Sequence, residues 1–359
     1  MKKTAFILSI FMVITAFLSG CGQDGADQKK NDDVMQVYTT VYPLQFFAQQ
    51  IGGEFVNVDT IYPPGADEHT FEPSQKDMMA LADADLFFYI GLGLEGFVDK
   101  ASKTLKNEDV KMVPVGESLN LDEAGEHQEE AHNKGGSADE GHEEDEHADE
   151  DGHEDKAGHE DENENADEAG HEEEEHADED EHAHGDFDPH VWLDPIYASN
   201  LALAIKEQLA EQMPEHKDTF EQNYTELAAQ LKDLDKEFSE VIGSAKRKEI
   251  LVSHSAFSYW EERYGIQQIS ISGQSTTNEP SQKELQKLIT HAKDEKIKYV
   301  LNEQNFNSKL AKMVQEEIGA KSLKLHNLSV LTDEDIKNNE TYFTLMEKNI
   351  ATLGKALNE

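Results

Sequence analysis

Residues 121 to 185 are not expected to build a hydrophobic core. They consist almost entirely of Asp, Glu, His, Gly and Ala, with the unit Gly-His-Glu recurring at 141, 152, 158 and 170. A stretch of this composition buries too little apolar surface to offset the entropy of ordering it, so it is expected to be a disordered insertion. Whatever folds must be assembled from the sequence on either side. The insertion carries His127, His132, His142, His147, His153, His159, His171, His176, His182 and His184. Imidazoles and carboxylates at this density suit weak, multi-site capture of zinc and similar ions. The alternative is an acidic solubilising loop, but such a loop has no need of ten histidines. None of these histidines has the i, i+4 spacing of H-E-x-x-H, so no zinc-protease helix is expected.

The formal charge of -45 over 359 residues argues against a nucleic-acid partner, whose phosphates would be repelled. About two fifths of the acidic residues lie in the insertion, beside only two lysines. The remainder is an ordinary, mildly acidic chain, long enough for two domains. Its N-terminus reads Met-Lys-Lys, then an apolar run from Ala5 to Leu18, then Leu18-Ser19-Gly20-Cys21. A basic start and a short apolar run make residues 1–20 a secretory signal peptide. Leu-Ser-Gly-Cys resembles the bacterial lipobox, in which cleavage precedes a cysteine that then receives lipid. Cys21 is the sole cysteine and has no disulfide partner, which suits lipidation. Residues 21–33 would form a polar tether on the outer face of a cell membrane.

From Val34 onward, short apolar runs alternate with amphipathic segments. Strands are expected at 34–41, 56–61, 86–90 and 112–115, with helices at 46–51 and at 75–82, the latter capped by Ser74. This βαβ order implies a parallel sheet in an N-terminal lobe, residues 34–213. A helix at 197–211 follows the insertion. From Pro214 to about 242, Phe220, Tyr224, Leu227, Leu231, Leu234, Phe238 and Val241 alternate steps of four and three, one continuous buried stripe. A rigid linking helix, residues 214–243, is therefore expected, on the order of 40 Å long. The C-terminal lobe, 244–359, repeats the first in style. Its strands are expected at 249–253, 268–271, 299–301 and 322–325, and its helices begin near His254 and span 281–295, 308–318 and 342–357. The fold class is α/β: two βα lobes with parallel sheets, one long helix joining them, and a cleft between.

Three histidines outside the insertion stand in stiff or strand-end places. His69 lies in a loop after Pro63-Pro64-Gly65, His190 lies between two Asp-Pro turns in Asp186–Pro195, and His254 ends a strand. Three imidazoles meeting between lobes would suit zinc. A histidine at a strand end is often a hydrogen-bonded structural residue instead, and spacing alone does not decide.

The motifs Gly-Ala-Asp-Glu-His-Thr-Phe-Glu-Pro-Ser (65–74), Asp-Pro-His-Val-Trp-Leu-Asp-Pro (188–195) and Ser-His-Ser-Ala-Phe-Ser-Tyr-Trp (253–260) resemble those of the metal-binding lipoproteins of bacterial zinc and manganese ABC importers. The resemblance runs from the lipobox to the C-terminus. It implies that His69 and His190 are metal ligands. It also implies that His254 is the third, at a position that zinc members keep as histidine and manganese members replace with glutamate. Many relatives place an acid in a late loop, where this chain has Ser329, so water or the insertion would complete the site. Glu303 and Glu68 are the other candidates for a fourth or supporting carboxylate. The implied function is high-affinity extracytoplasmic zinc binding, with delivery to an ABC permease and its ATPase by a monomeric receptor. A manganese carrier, a surface adhesin or a passive metal buffer are alternatives. A zinc hydrolase with Glu303 or Glu68 as general base is disfavoured by the tether and by the lack of any catalytic motif.

Overall fold

The computed structural model describes residues 34–119, 121, 187–305 and 308–359. The signal peptide, tether, Cys21 and the ten insertion histidines lie outside the described residues.

In the first lobe, β1 (Met35–Thr39), β2 (Val56–Thr60), β3 (Leu86–Tyr89) and β4 (Lys111–Pro114) form a parallel sheet of order β2-β1-β3-β4. Between them run α1 (Tyr42–Gly52), α2 (Gln75–Ala82) and α3 (Val98–Thr104). Helix α1 begins four residues before the expected Phe46, because Pro43 sits in its first turn, where a missing N–H costs nothing. Ser74 caps α2 as expected: its hydroxyl accepts from the Asp77 N–H, and the Asp77 carboxylate accepts from the Ser74 N–H at 2.8 Å.

Helices α4 (Pro195–Gln212) and α5 (Lys217–Gly243) follow, separated by a 3-10 turn at Pro214–His216 that delays the long helix by three residues. In α5, Phe220, Leu227, Leu231, Leu234, Phe238 and Ile242 are buried, while Tyr224 and Val241 lie at the margins of the stripe. The helix packs on α1 and α4 of the first lobe, and also on α10 (Tyr342–Asn358), the last helix of the chain.

The second sheet, β5 (Glu249–His254), β6 (Gln267–Ser272), β7 (Tyr299–Asn302) and β8 (Lys321–Lys324), has the order β6-β5-β7-β8 and is again parallel throughout. It repeats the topology of the first. Around it lie α6 (Ser258–Tyr264), α7 (Gln282–Asp294), α8 (Lys309–Ile318) and α9 (Asp333–Lys337). The helix expected to begin at His254 starts at Ser258, leaving His254 as the last residue of its strand. The short helices α3 and α9 were not anticipated, since each is under two turns and shows little periodicity. One buried cluster runs from Met35 through Trp192 and α5 to Leu357, so the lobes share a core. Leu121, placed at the start of the disordered insertion, packs into it instead, because its apolar side chain precedes the acidic run. A second lies on the other face of the C-terminal sheet, around Leu251, Val300 and Val314.

In each sheet the connections leave the first strand and its neighbour toward opposite sides. The crevice at the carboxyl ends of those strands is where open α/β sheets bind ligands. In the second lobe His254 ends β5, and Glu303 follows β7 directly.

Candidate metal centre

The segment from Asp188 to Pro195 is a buried rod between the lobes. Trp192 donates from Nε1 to the Asn327 carbonyl at 2.7 Å, and Trp260 donates to the Leu193 carbonyl at 2.7 Å. Tyr342 donates to the Trp192 carbonyl at 2.9 Å. Asp194 caps α4 through the Ile196 and Tyr197 N–H groups and pairs with Arg263 of the second lobe. These bonds hold His190, which is fully buried, from both sides.

His69, His190 and His254 come together, each offering a ring nitrogen within 4.8 Å of the others. The Nε2 atoms of His190 and His254 are 3.3 Å apart. Behind each ring stands a carboxylate. Asp188 Oδ1 accepts from His190 Nδ1 at 2.7 Å and from its backbone N–H at 3.0 Å. Glu303 Oε1 meets His254 Nδ1 and also accepts from the Ser253 hydroxyl at 3.0 Å. When both rings are neutral, with Nδ1–H committed to a carboxylate, each turns an Nε2 lone pair toward the other, an arrangement that a cation between them relieves. Carboxylates placed this way fix the tautomer and orientation of a ligating imidazole and raise its basicity.

The third ring differs. His69 Nε2 is buried without a hydrogen-bond partner. The His69 N–H and the Thr70 N–H both donate to Asp67 Oδ1, at 3.0 and 3.2 Å, and this turn sets where the ring points. Burial, reinforced by the two neighbouring imidazoles, pulls His69 down to about 3, so it is neutral and ready to ligate. Burial acts to lower His254 as well, but the Glu303 carboxylate outweighs it and holds the ring up at about 9. Burial likewise opposes ionisation of Asp188, yet His190 and Ser258 hold it below the usual carboxylate range.

Glu303 and Glu68 are not members of the three-histidine group. Asn327 Nδ2 donates to both, to Glu303 Oε2 at 2.6 Å and Glu68 Oε1 at 2.9 Å. Burial and the nearby Glu303 raise Glu68. Ser329, where an acid was expected, is buried and donates to Asn327 Oδ1 at 2.9 Å. Sequence reasoning missed Asp188 and Asn327 as supports. Asp188 stood two residues before His190 in an Asp-Pro pair, where it was read only as a turn former.

Several known proteins are similar to this chain. A family model described as ZnuA, zinc-uptake complex component A, periplasmic, matches residues 37–356. The zinc-binding lipoprotein AdcA of Streptococcus pneumoniae is 32% identical over 353 residues, 98% of this chain and 60% of that protein. The high-affinity zinc uptake system protein ZnuA of Bacillus subtilis is 30% identical, with 98% of this chain and 96% of that protein covered. The crystal structure of the Zn(II)-bound ZnuA-like domain of S. pneumoniae AdcA superposes with a TM-score of 0.65 at 30% identity, covering 91% of this chain and all of the other. The chain thus spans about three fifths of the length of the AdcA relative and nearly all of the ZnuA one.

Proposed function

Because this chain belongs to the ZnuA family of zinc-uptake complex components, a family of substrate-binding receptors and not of enzymes, we propose that it captures zinc outside the cytoplasm for delivery to an ABC permease and its ATPase. The observation that supports this most is the convergence of His69, His190 and His254, two of them backed by carboxylates. Neutral imidazoles in a closed set of this kind favour zinc over the oxygen-preferring ions, manganese included. In this reading zinc is the cargo, ligated by the three histidines. Asp188 and Glu303 orient two of the rings, and the shared core holds the lobes around them. Capture requires only that the imidazoles give up protons to the solvent as the ion enters.

Cys21 would carry the lipid that keeps the receptor at the membrane's outer face. Among the described residues no helix is long and apolar enough to cross a membrane. The insertion histidines would hold zinc weakly and raise its concentration near the cleft.

The role is tested by deleting the gene and growing the strain in zinc-depleted medium. Growth should fail without added zinc and be restored by the native gene, but not by one encoding His190→Ala. Normal growth of the deletion strain under zinc limitation, with no second importer present, would remove the uptake role. Zinc-dependent hydrolysis of ester, phosphate or amide substrates by the purified protein would revive the enzyme reading.

A further inference from the structure

The three histidines are not equally placed. His190 and His254 are fully buried, whereas His69 is partly exposed and borders a cavity of about 690 Å³. That cavity is walled by Gly91–Gly96 of the first lobe, by Phe187 and Pro189, and by Gln274, Ser275 and Asn278 of the second. Neither His190 nor His254 reaches it. The way from the site to solvent therefore passes His69.

The loop that carries His69 belongs to the first lobe, yet four consecutive residues before it are held by the second. The Gly65 N–H donates to the Leu331 carbonyl at 3.1 Å. Asn305 Nδ2 donates to the Ala66 carbonyl at 2.8 Å. Thr276 Oγ1 donates to Asp67 Oδ2 at 2.8 Å, the same carboxylate whose other oxygen shapes the turn at His69. Asn327 Nδ2 donates to Glu68 Oε1 at 2.9 Å. Among the described residues, no hydrogen bond within the first lobe anchors the His69 ring, whose Nε2 has no partner. Its position depends on a grip from across the cleft.

We propose that Thr276 and Asn305 are positioning residues that hold His69 in the site and so set how long the ion stays bound. This deepens the zinc-receptor reading and rests on it. Separation of the second lobe's loops from residues 65–68 would release His69 first and leave a two-histidine remnant open to the cavity. Separating the lobes is thereby coupled to letting the ion go, with no chemical change at His190 or His254. The bonds from Thr276 and Asn305 go to Asp67 and Ala66 and not to a histidine ring, and each residue contributes a single side-chain bond to the grip.

The test uses the full chain loaded with one equivalent of zinc and mixed with excess chromophoric chelator in a stopped-flow instrument. Insertion-bound zinc leaves in the fast phase, and the slow phase reports the cleft. Thr276→Val with Asn305→Ala should speed the slow phase about tenfold or more, the effect of losing two hydrogen bonds of ordinary strength. The melting temperature of the metal-free protein should stay within experimental error of native. Thr276→Ser, which keeps the hydroxyl, should release zinc at the native rate. A slow phase unchanged in the double variant overturns the inference while leaving the zinc site standing. So does Thr276→Ser releasing as fast as Thr276→Val, since packing would then be the cause. A native chain with no slow phase at all removes the zinc-receptor reading, and this inference with it.

Discussion

The two lobes are built on one plan and finished in different ways. Each has four parallel strands in the same order, and each places a buried glutamate at the crevice beyond its central strands. In the first lobe that residue is Glu95, which accepts from Thr40 Oγ1 at 2.7 Å, from the Ile90 N–H at 2.8 Å and from the Gly91 N–H at 2.9 Å. All of these partners lie in the first lobe, and none is a histidine. In the second lobe the residue is Glu303, which spends one oxygen on His254 and Ser253 and the other on Asn327. Its imidazole partner then turns a nitrogen out toward the other lobe. The same crevice is therefore a structural knot in one lobe and, in the proposed reading, half of a zinc site in the other. What separates them is whether the buried carboxylate is satisfied by backbone and a threonine hydroxyl or by a histidine with a second nitrogen to offer.

The largest expected difference comes from removing that histidine. His254→Ala should weaken zinc binding by more than about 100-fold, beyond what loss of a supporting group alone costs. Equilibrium competition with a chelator of known affinity measures it, and a change under tenfold would place the tight site elsewhere. Glu303→Gln keeps the shape but loses the charge behind His254, and should cost about 10- to 100-fold in the same assay. Glu95→Gln is the matched change in the first lobe and should leave zinc affinity within about twofold of native. If Glu95→Gln weakened zinc as much as Glu303→Gln, the contrast between the crevices would collapse.

The first-lobe carboxylate should show itself in stability instead. Burial raises Glu95 to about 7, against the hydrogen bonds that favour its charged form, from an ordinary value of 4.5. Its folded-state proton is held more tightly than its unfolded one. The stability it contributes is therefore complete below about 4.5 and is lost as pH rises through about 7, a swing on the order of 3 kcal/mol. Glutamine has no such titration, so the native protein's advantage over Glu95→Gln should shrink between pH 4.5 and 8 in urea unfolding. A constant difference across that range would contradict the account of Glu95 as a buried structural carboxylate. Smallest of all, Ser329→Ala removes only one of the donors to Asn327 Oδ1, which the Ser329 N–H and Gln304 also serve, and should change zinc affinity by less than about fivefold.

Much of this was legible in the residues. The stripe from Phe220 to Phe238 announced the long helix, because a buried face at helical period can be read without knowing what covers it. The strands were legible from short apolar runs between turn formers, and Asp-Pro on either side of His190 marked a stiff loop. What could not be read was which polar groups face one another across the cleft. Asn327 reaches Glu68 over 259 positions and Glu303 over 24, and no local pattern carries a contact of that kind. Glu303 was legible only as a candidate, since an acid after a strand has the same local signature whether it binds an ion or backs a ligand. The equivalence of the two sheets likewise emerged only once strand order was known, because the lobes differ in the residues that fill their crevices.

The most direct test is calorimetric titration of zinc, with manganese as competitor, into the mature chain and into one lacking residues 122–184, each with and without His254→Ala. One tight, zinc-preferring site is predicted to survive loss of the insertion and to vanish or weaken greatly with His254→Ala. A shortened protein with no tight site, or one indifferent to His254, would show that the metal chemistry resides in the insertion and that the three histidines between the lobes do not form the zinc site.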